Sequence, residues 1–452
     1  MNVMFINPPY KSKILDFFGA SAPLLGFGSM SYQLEQAGHR SEILDCPTLG
    51  LSRSDATKVV RQIDPAVVGI TSTTPSFDAA CKLAKAIKTL KPECIIVMGG
   101  PHVSFEDHAA LQRPYVDIVV RGEGELTMSE VVTCLERGAS LSAVRGITYR
   151  AHGVPRRNPD RPFIDDLDSL GVQYRKLSMR RYQLEGKAYA TIVSSRGCPY
   201  RCVFCASSLL HGKRWRCQSA ERVGREVQFL VDKYRVRHIE FLDDLFTFDR
   251  KRVDAICRIF RREKLDVQWF CISRVDTISR QMMATMRRAG CIGLYLGTES
   301  GCHRVLNLLR KGTRLSQAVK AIRGAKAVGL ETVATFIIGI PGETVDDIRA
   351  TIHFAKTLRP DYAQFTFCTP YPGTELYSFA KANNLLLSDD WTRYTTMEPV
   401  LKVPGVQVHE LTALFKEAYL HFVPSSLWKL ITKKKLRLLE KILVEATKMV
   451  AH

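Results

Sequence analysis

Residues 189–208 read YATIVSSRGCPYRCVFCASS. The first seven, YATIVSS, are apolar, β-branched and small, the composition of a buried strand. The chain then turns through Arg-Gly-Cys-Pro and places Cys198, Cys202 and Cys205 in a C-x3-C-x2-C spacing. Three thiolates that close together share a soft metal centre. Three ligands on a four-iron cube leave one iron free for another molecule. The competing reading is a tetrahedral zinc site with Cys217 as fourth ligand. Zinc sites usually carry paired C-x2-C units, and the sequence shows no second pair.

Downstream, the strand opens an alternating series. HIEFLDD (238–244), VQWFCIS (267–273), GLYLGTE (293–299), TVATFIIG (332–339) and YAQFTFC (362–368) read as further strands. Helical stretches such as 219–234 and 314–328 fill the gaps. Six βα units predict a barrel or partial (β/α)6 barrel with its chemistry on the loops after the strands.

Upstream, residues 1–145 form a second alternating series. VMFIN (3–7), SEILD (41–45), AVVGITST (66–73), CIIVMGG (94–100) and VDIVVRGEGE (116–125) read as strands. Helices are expected at 26–38, 54–63 and 77–90. This order implies a doubly wound, Rossmann-like parallel sheet, whose ligands sit beyond the carboxyl ends of the strands. The small and polar residues there are Ser72, Thr73 and Thr74, then Gly99, Gly100, Pro101 and His102, then Gly122, Glu123 and Glu125. A nucleotide-binding G-x-G-x-x-G does not follow the first strand.

The expected organisation is therefore an α/β chain in four parts. Residues 1–145 form the Rossmann-like sheet and 146–187 a linker with a small hairpin at its start. Residues 188–398 form the barrel, and 399–452 a helical C-terminal region. KLITKKKLRLLEKIL (429–443) has one apolar and one basic face, the pattern of a solvated surface helix.

Composition bounds the function. The 452 residues carry 46% hydrophobic and 24% charged side chains, an ordinary globular balance. No long apolar run predicts a membrane span. MNVMFINPPY reads as a strand and not as a signal peptide, so a cytoplasmic location is expected. Thirteen cysteines, an odd number, argue against a disulfide framework. Cys81, Cys94, Cys134, Cys257 and Cys291, isolated among apolar neighbours, read as small core residues. The formal charge of +20 fits either an anionic partner or simple solubility.

The cysteine cluster, with Phe204 before its last member, resembles the signature of radical S-adenosylmethionine (SAM) enzymes. The resemblance implies that Cys198, Cys202 and Cys205 hold a [4Fe-4S] cluster whose free iron chelates SAM. It extends to the ends of later strands. FLDDLF (241–246), with Asp243 and Asp244, resembles the segment that helps hold the SAM amino group. SRVD (273–276) supplies Arg274, similar to the arginine near the SAM carboxylate. GTESG (297–301) places Glu299 at a polar SAM contact, and FIIGIPGET (336–344) places Gly339 and Ile340 near the adenine. TPYPGTELY (369–377) is similar to a segment of the cobalamin-binding branch. NPPY (7–10), with Pro9 and Tyr10, the GITSTTPSF strand end, MGGPH (98–102) and RGEGE (121–125) resemble that branch's cobalamin-binding domain. The histidine motif D-x-H-x-x-G is absent, so the resemblance implies cobalt without a histidine ligand; Tyr10 and the Ser72–Pro75 loop are candidates for its lower face.

The implied activity is a cobalamin-dependent C-methylation. A 5′-deoxyadenosyl radical abstracts hydrogen from an unactivated sp3 carbon, and methylcobalamin donates the methyl. The acceptor is a protein or peptide residue, such as one of methyl-coenzyme M reductase, or a small molecule. An external one-electron donor of flavodoxin or ferredoxin type is expected, and nucleic acid is not. No catalytic acid or base is assigned. Two alternatives stand beside this reading. One is a non-methylating oxidative cyclase or ring rearrangement, similar to the anaerobic magnesium-protoporphyrin monomethyl ester cyclases. The other is a zinc-stabilised nucleic-acid-binding protein.

Overall fold

The computed structural model describes residues 1–10, 22–184 and 186–432, with side chains to 422. Most of the 429–443 segment thus lies outside the described residues.

The first sheet has seven strands: β1 (Asn2–Asn7), β2 (Arg40–Asp45), β3 (Val67–Thr71), β4 (Ile95–Gly99), β5 (Ile118–Val120), β6 (Ile147–Ala151) and β7 (Val154–Arg157). Their order is β2-β1-β3-β4-β5-β6-β7. The first five run parallel, and β6 and β7 join antiparallel. Alternation along the strands sorts the core. Met4, Ile6, Val68, Ile70, Ile96 and Met98 pack on one face. Val3, Phe5, Val67, Val97, Ile118 and Val120 pack on the other. Both faces are buried because helices Arg53–Ile63 and Phe77–Leu90 cover one, and Leu25–Gln36 and Glu125–Glu136 the other. The hairpin expected at the start of the 146–187 segment exists as β6 and β7, and it extends the first sheet instead of standing apart from it.

The second large sheet is built from β8 (Gln183–Leu184), β9 (Lys187–Ile192), β12 (His238–Phe241), β13 (Gln268–Arg274), β14 (Cys291–Glu299), β15 (Glu331–Ile338) and β16 (Tyr362–Phe367). A two-stranded ribbon, β10 (Ser195–Arg196) and β11 (Arg216–Cys217), interrupts the series. The order β16-β15-β14-β13-β12-β9-β8 keeps six parallel strands in sequence, with β8 antiparallel on the edge of β9. This is the partial barrel. Ala334, Phe336 and Ile338 on β15 join a core centred on the fully buried Trp269. The other edge is closed by the helix Val408–Thr432. Its Tyr419 hydroxyl accepts from the Phe365 N–H (3.2 Å) and donates to the Phe365 carbonyl (2.7 Å). Phe415 stacks on Phe367 at 4.1 Å. Residues 401–406, expected as helix, instead carry isolated bridges, Leu386 with Leu401 and Val403 with Val406.

The two units are packed together. Tyr182 donates to Asp45 at 3.0 Å, and Lys176 meets Glu35 at 2.7 Å. His102, 1% exposed, lies between the rings of Phe77 (4.3 Å) and Trp391 (5.2 Å), joining the first sheet to the segment after the barrel. Burial, with the Arg113 charge adding to it, pushes the His102 imidazole down to about 4. Because the folded value lies below the ordinary 6.5, its stabilising effect is full above pH 6.5 and is lost as pH falls towards 4. At about 1.4 kcal/mol per unit, roughly 3 kcal/mol is at stake. Denaturant midpoints across this window should fall with pH in the native chain and lose most of that slope in His102→Phe; an unchanged slope would remove His102 from the account.

Candidate active site

The three cysteines sit on the loop between β10 and the short helix Ser207–Leu210. The loop is held by its backbone. The Cys198 N–H donates to the Gly212 carbonyl (3.1 Å), that of Val203 to Leu309 (3.2 Å) and that of Cys205 to Cys202 (3.2 Å). Gly197 needs to be glycine: its φ is 87°, and a Cβ would lie 2.4 Å from the Arg214 carbonyl oxygen. All thirteen cysteines are free thiols. Cys198, Cys202 and Cys205 are half-buried, as is Cys134, whereas Cys81, Cys94, Cys257 and Cys291 are core residues. Burial pushes the Cys198 and Cys202 thiols up; Lys311 and Arg274 oppose it at Cys202. Cys198 feels Cys205 and Cys202 as neighbours, whereas Cys217, on β11, feels Arg252, Asp249 and Asp243. Cys217 lies across the two-stranded ribbon from Ser195, off the loop that carries the other three. Among the described residues no three His, Cys, Asp or Glu side chains converge on one ion; a cube, which offers each thiolate its own iron, does not require that convergence.

Arg274, at the end of β13, reaches this loop. Its Nη1 lies 3.8 Å from Cys202 Sγ, and its guanidinium stacks 3.5 Å over the Tyr200 ring. A two-pronged bond to Asp276 (2.9 Å on each side) and a bond to the Lys311 carbonyl (2.7 Å) fix it there. Glu299, ending β14 at φ 66°, pairs with the buried Lys311 ammonium at 2.6 Å. Phe204 packs near Ile340 in an apolar cluster. The Gly339 and Ile340 N–H groups both donate to Glu343 (2.7 and 3.0 Å), whose carboxyl is pushed up by burial to about 7. Lys311 and Glu343 escape the sequence reading; RKGTR (310–314) and the Glu of GIPGE were the available signals.

The two aspartates of FLDDLF part company. Asp243 is fully buried and accepts from the Ser194 N–H and hydroxyl (both 2.7 Å) and the Ser195 hydroxyl (2.6 Å), tying β12 to β9. Asp244 accepts from the Gly197 N–H (3.0 Å) and faces His211 Nδ1 at 2.9 Å. Burial raises the Asp244 carboxyl, but the His211 bond and charge outweigh it and hold it low.

The strand ends of the first sheet border two cavities, each about 370 Å³. Gly99, Gly100, Pro101, Gly122, Glu123 and Glu125 line the first, together with Arg196 and Asp244 from the barrel side. A side chain at Gly122 would project into open space, and one at Gly100 would strike the Ser72 backbone at 2.6 Å. Tyr10, Thr73, Thr74 and Pro101 line the second, facing Ala206, Tyr371 and Thr396. Pro9 lies on the chain just before Tyr10. Ser72 is fully buried and bonds Gly99; with His102, it supports the strand ends from behind and borders neither cavity.

Glu123 and Glu125 are occupied by arginines. Arg196, two residues before Cys198, reaches Glu123 (3.2 Å) and Glu125 (2.6 Å). Arg216 meets both oxygens of Glu123 at 2.9 and 3.2 Å, and the Ile164 N–H donates to it at 2.7 Å. These contacts bind the cysteine loop to the first sheet.

Two family models match the chain: the B12 binding domain over residues 14–132 and the Radical SAM superfamily over residues 192–355. An uncharacterized methyltransferase of Pyrococcus horikoshii is 40% identical over 424 residues, covering 93% of this chain and 92% of that one. The chain belongs to the cobalamin-binding radical SAM methyltransferase family. This radical SAM enzyme is also 29% identical to the anaerobic magnesium-protoporphyrin IX monomethyl ester cyclase of Rubrivivax gelatinosus, over 93% of this chain and 77% of that one. Its fold matches the radical SAM methyltransferase TsrM of Kitasatospora setae, solved with cobalamin and a [4Fe-4S] cluster, at a TM-score of 0.75 and 16% identity, covering 92% and 90% of the two chains. The family's groups are the [4Fe-4S] cluster, SAM and cobalamin, and these matches set aside the zinc reading. The residues present fit those groups: three free thiols on one loop, and glycines bordering a cavity at the strand ends.

Glu123→Ala in this enzyme would leave Arg196 and Arg216 buried without their shared carboxylate. A loss of about 3–5 kcal/mol is expected in urea unfolding, with a smaller loss for Glu123→Gln. A loss below 1 kcal/mol would show that the contact does not hold the units together.

Proposed function

We propose that this radical SAM enzyme methylates an sp3 carbon. The carrying observation is that the cysteine loop and the first sheet's strand ends face each other across shared cavities. Cys198, Cys202 and Cys205 would hold the cluster. Asp244, Arg274 and Glu299, with the Gly339–Ile340 turn and Phe204, would form the SAM wall, with Lys311 beside them. Asp243 would act from behind, by fixing the strand ends that carry the loop. Gly99, Gly100, Pro101 and the Gly122–Glu125 turn would cradle cobalamin, with Tyr10, Thr73 and Thr74 at its rim. When bound, these groups supply a hydrogen-abstracting radical and a methyl to transfer. The chain's own task is to orient the acceptor carbon between them and keep water out.

A cobalamin-binding unit, a linker ending at 187, a barrel ending at 398 and a C-terminal region go with this assignment, the hairpin β6–β7 counting with the first unit. An external one-electron donor and a cytoplasmic, reducing setting go with it. No helix among the described residues is long and apolar enough to cross a membrane. A non-methylating cyclisation is the second reading, supported by the similarity to the Rubrivivax gelatinosus cyclase.

The test is an anaerobic reaction of reconstituted enzyme with hydroxocobalamin, reductant and trideuteromethyl-SAM over host extract, followed by mass spectrometry. A labelled methyl in a product, with 5′-deoxyadenosine and S-adenosylhomocysteine formed together, is expected. Cys202→Ala should abolish both the cluster absorbance and the label. Deoxyadenosine without labelled product would favour cyclisation.

A further inference from the structure

An arginine side chain donates through a rigid fork of N–H groups, and in Arg274 most of the fork is assigned. The Nε–H and one Nη2–H go to the two oxygens of Asp276, each at 2.9 Å. Nη2 also donates to the Lys311 carbonyl at 2.7 Å. The remaining nitrogen, Nη1, donates to Cys202 Sγ at 3.8 Å. The Tyr200 ring, 3.5 Å from the guanidinium carbon, closes the face of the fork. Arg274 is buried, so the group is pinned by a carboxylate, a carbonyl and a ring, with one nitrogen turned to a cysteine of the loop.

The thiols of the loop are not equivalent. Cys202 is faced by two buried cations, Arg274 and Lys311. Cys198 is faced by the Asp244 carboxylate and by its two companion thiols. Each cation has its own carboxylate, Asp276 for Arg274 and Glu299 for Lys311, so much of the bare charge is offset. The directional N–H···S bond is not offset. A donated N–H binds an acceptor more strongly as the acceptor gains negative charge. An electron added to a thiolate-bound cluster gives its sulfurs that charge. Hydrogen bonds to the sulfurs are among the factors that set a cluster's reduction potential. A guanidinium keeps its proton throughout the working pH range, so this donor is permanent.

We propose that Arg274 tunes the cluster: its Nη1–H, donated to Cys202 Sγ, favours the reduced form over the oxidised one and raises the potential at which the enzyme takes its electron. This role is separate from any hold on the SAM carboxylate, and it operates before SAM binds. Asp276 is the positioning residue, because its two-pronged bond turns Nη1 towards the sulfur. The inference rests on the proposed assignment of Cys198, Cys202 and Cys205 to the cluster.

The test uses the full-length, cluster-loaded protein without SAM, titrated anaerobically and followed by electron paramagnetic resonance of the reduced cluster. Arg274→Met should lower the reduced-to-oxidised ratio at a fixed potential at least tenfold, about 59 mV for one electron. That variant also uncovers the Asp276 charge. Arg274→Met combined with Asp276→Asn removes both charges together, and the ratio should still fall at least threefold. A native ratio in this double variant would overturn the inference, because the charge of the pair would then account for the whole effect. The native chain gives a second readout that no folding defect affects. With heavy nitrogen confined to the arginine guanidinium groups, the reduced cluster should show a nitrogen coupling, and Arg274→Lys should abolish it. Absence of that coupling would also overturn the inference. Cys202→Ala separates the two claims: a cluster that survives it counts against the cysteine assignment, whereas a native ratio in the double variant counts against the tuning alone.

Discussion

One buried carboxylate ties the two units of this molecule at the place where their chemistry meets. Glu123 comes from the turn after β5, and it receives Arg216, Arg196 and a backbone N–H at once. Each partner is itself fixed elsewhere: Arg216 also donates to the His211 carbonyl, and Arg196 to Glu125. A charge this deeply buried is tolerated only when its lone pairs are filled. The first sheet and the cysteine loop therefore cannot shift independently without uncovering an unpaired ion. The cavities between them inherit their dimensions from that constraint.

Around this joint the site is built by strand ends. Asp243 clamps β12 to β9, Arg274 ends β13, Glu299 ends β14, and Gly339 follows β15. Parallel strands place successive loops side by side, so one residue per loop suffices to enclose a molecule. Rigid supports stand behind each of them: Asp276 for Arg274, Lys311 for Glu299, and Glu343 for the Gly339–Ile340 turn.

Much of this was legible along the chain. The strand and helix spans follow from runs of apolar, β-branched residues and from glycines at helix ends, and they agree with the structure to within a few residues; VDIVVRGEGE shortens to three because Gly122 turns at positive φ. The cysteine spacing is local, so it was visible. What local pattern does not carry is pairing at a distance. Glu123 and Glu125 border the first cavity, but the arginines that hold their carboxylates lie 73, 93 and 71 residues away and leave no mark on the local pattern. His102 was read as facing a ligand and is walled in by Trp391. Lys311 stands in RKGTR, a run that does not tell its partner, and its role depends on β14 bringing Glu299 beside it.

The Tyr419 hydroxyl has a consequence for how the molecule keeps company. An open half-barrel ends in two strands that offer unpaired backbone groups to any neighbouring chain. One end is blunted by the two-residue β8. At the other, a phenol supplied by a helix far along the chain takes both the N–H and the carbonyl of Phe365, occupying the position that a foreign strand would need. The C-terminal helix thereby serves as a guard against edge-to-edge aggregation. A truncation that removed it would show its damage first as loss of solubility on the bench, before any effect on turnover.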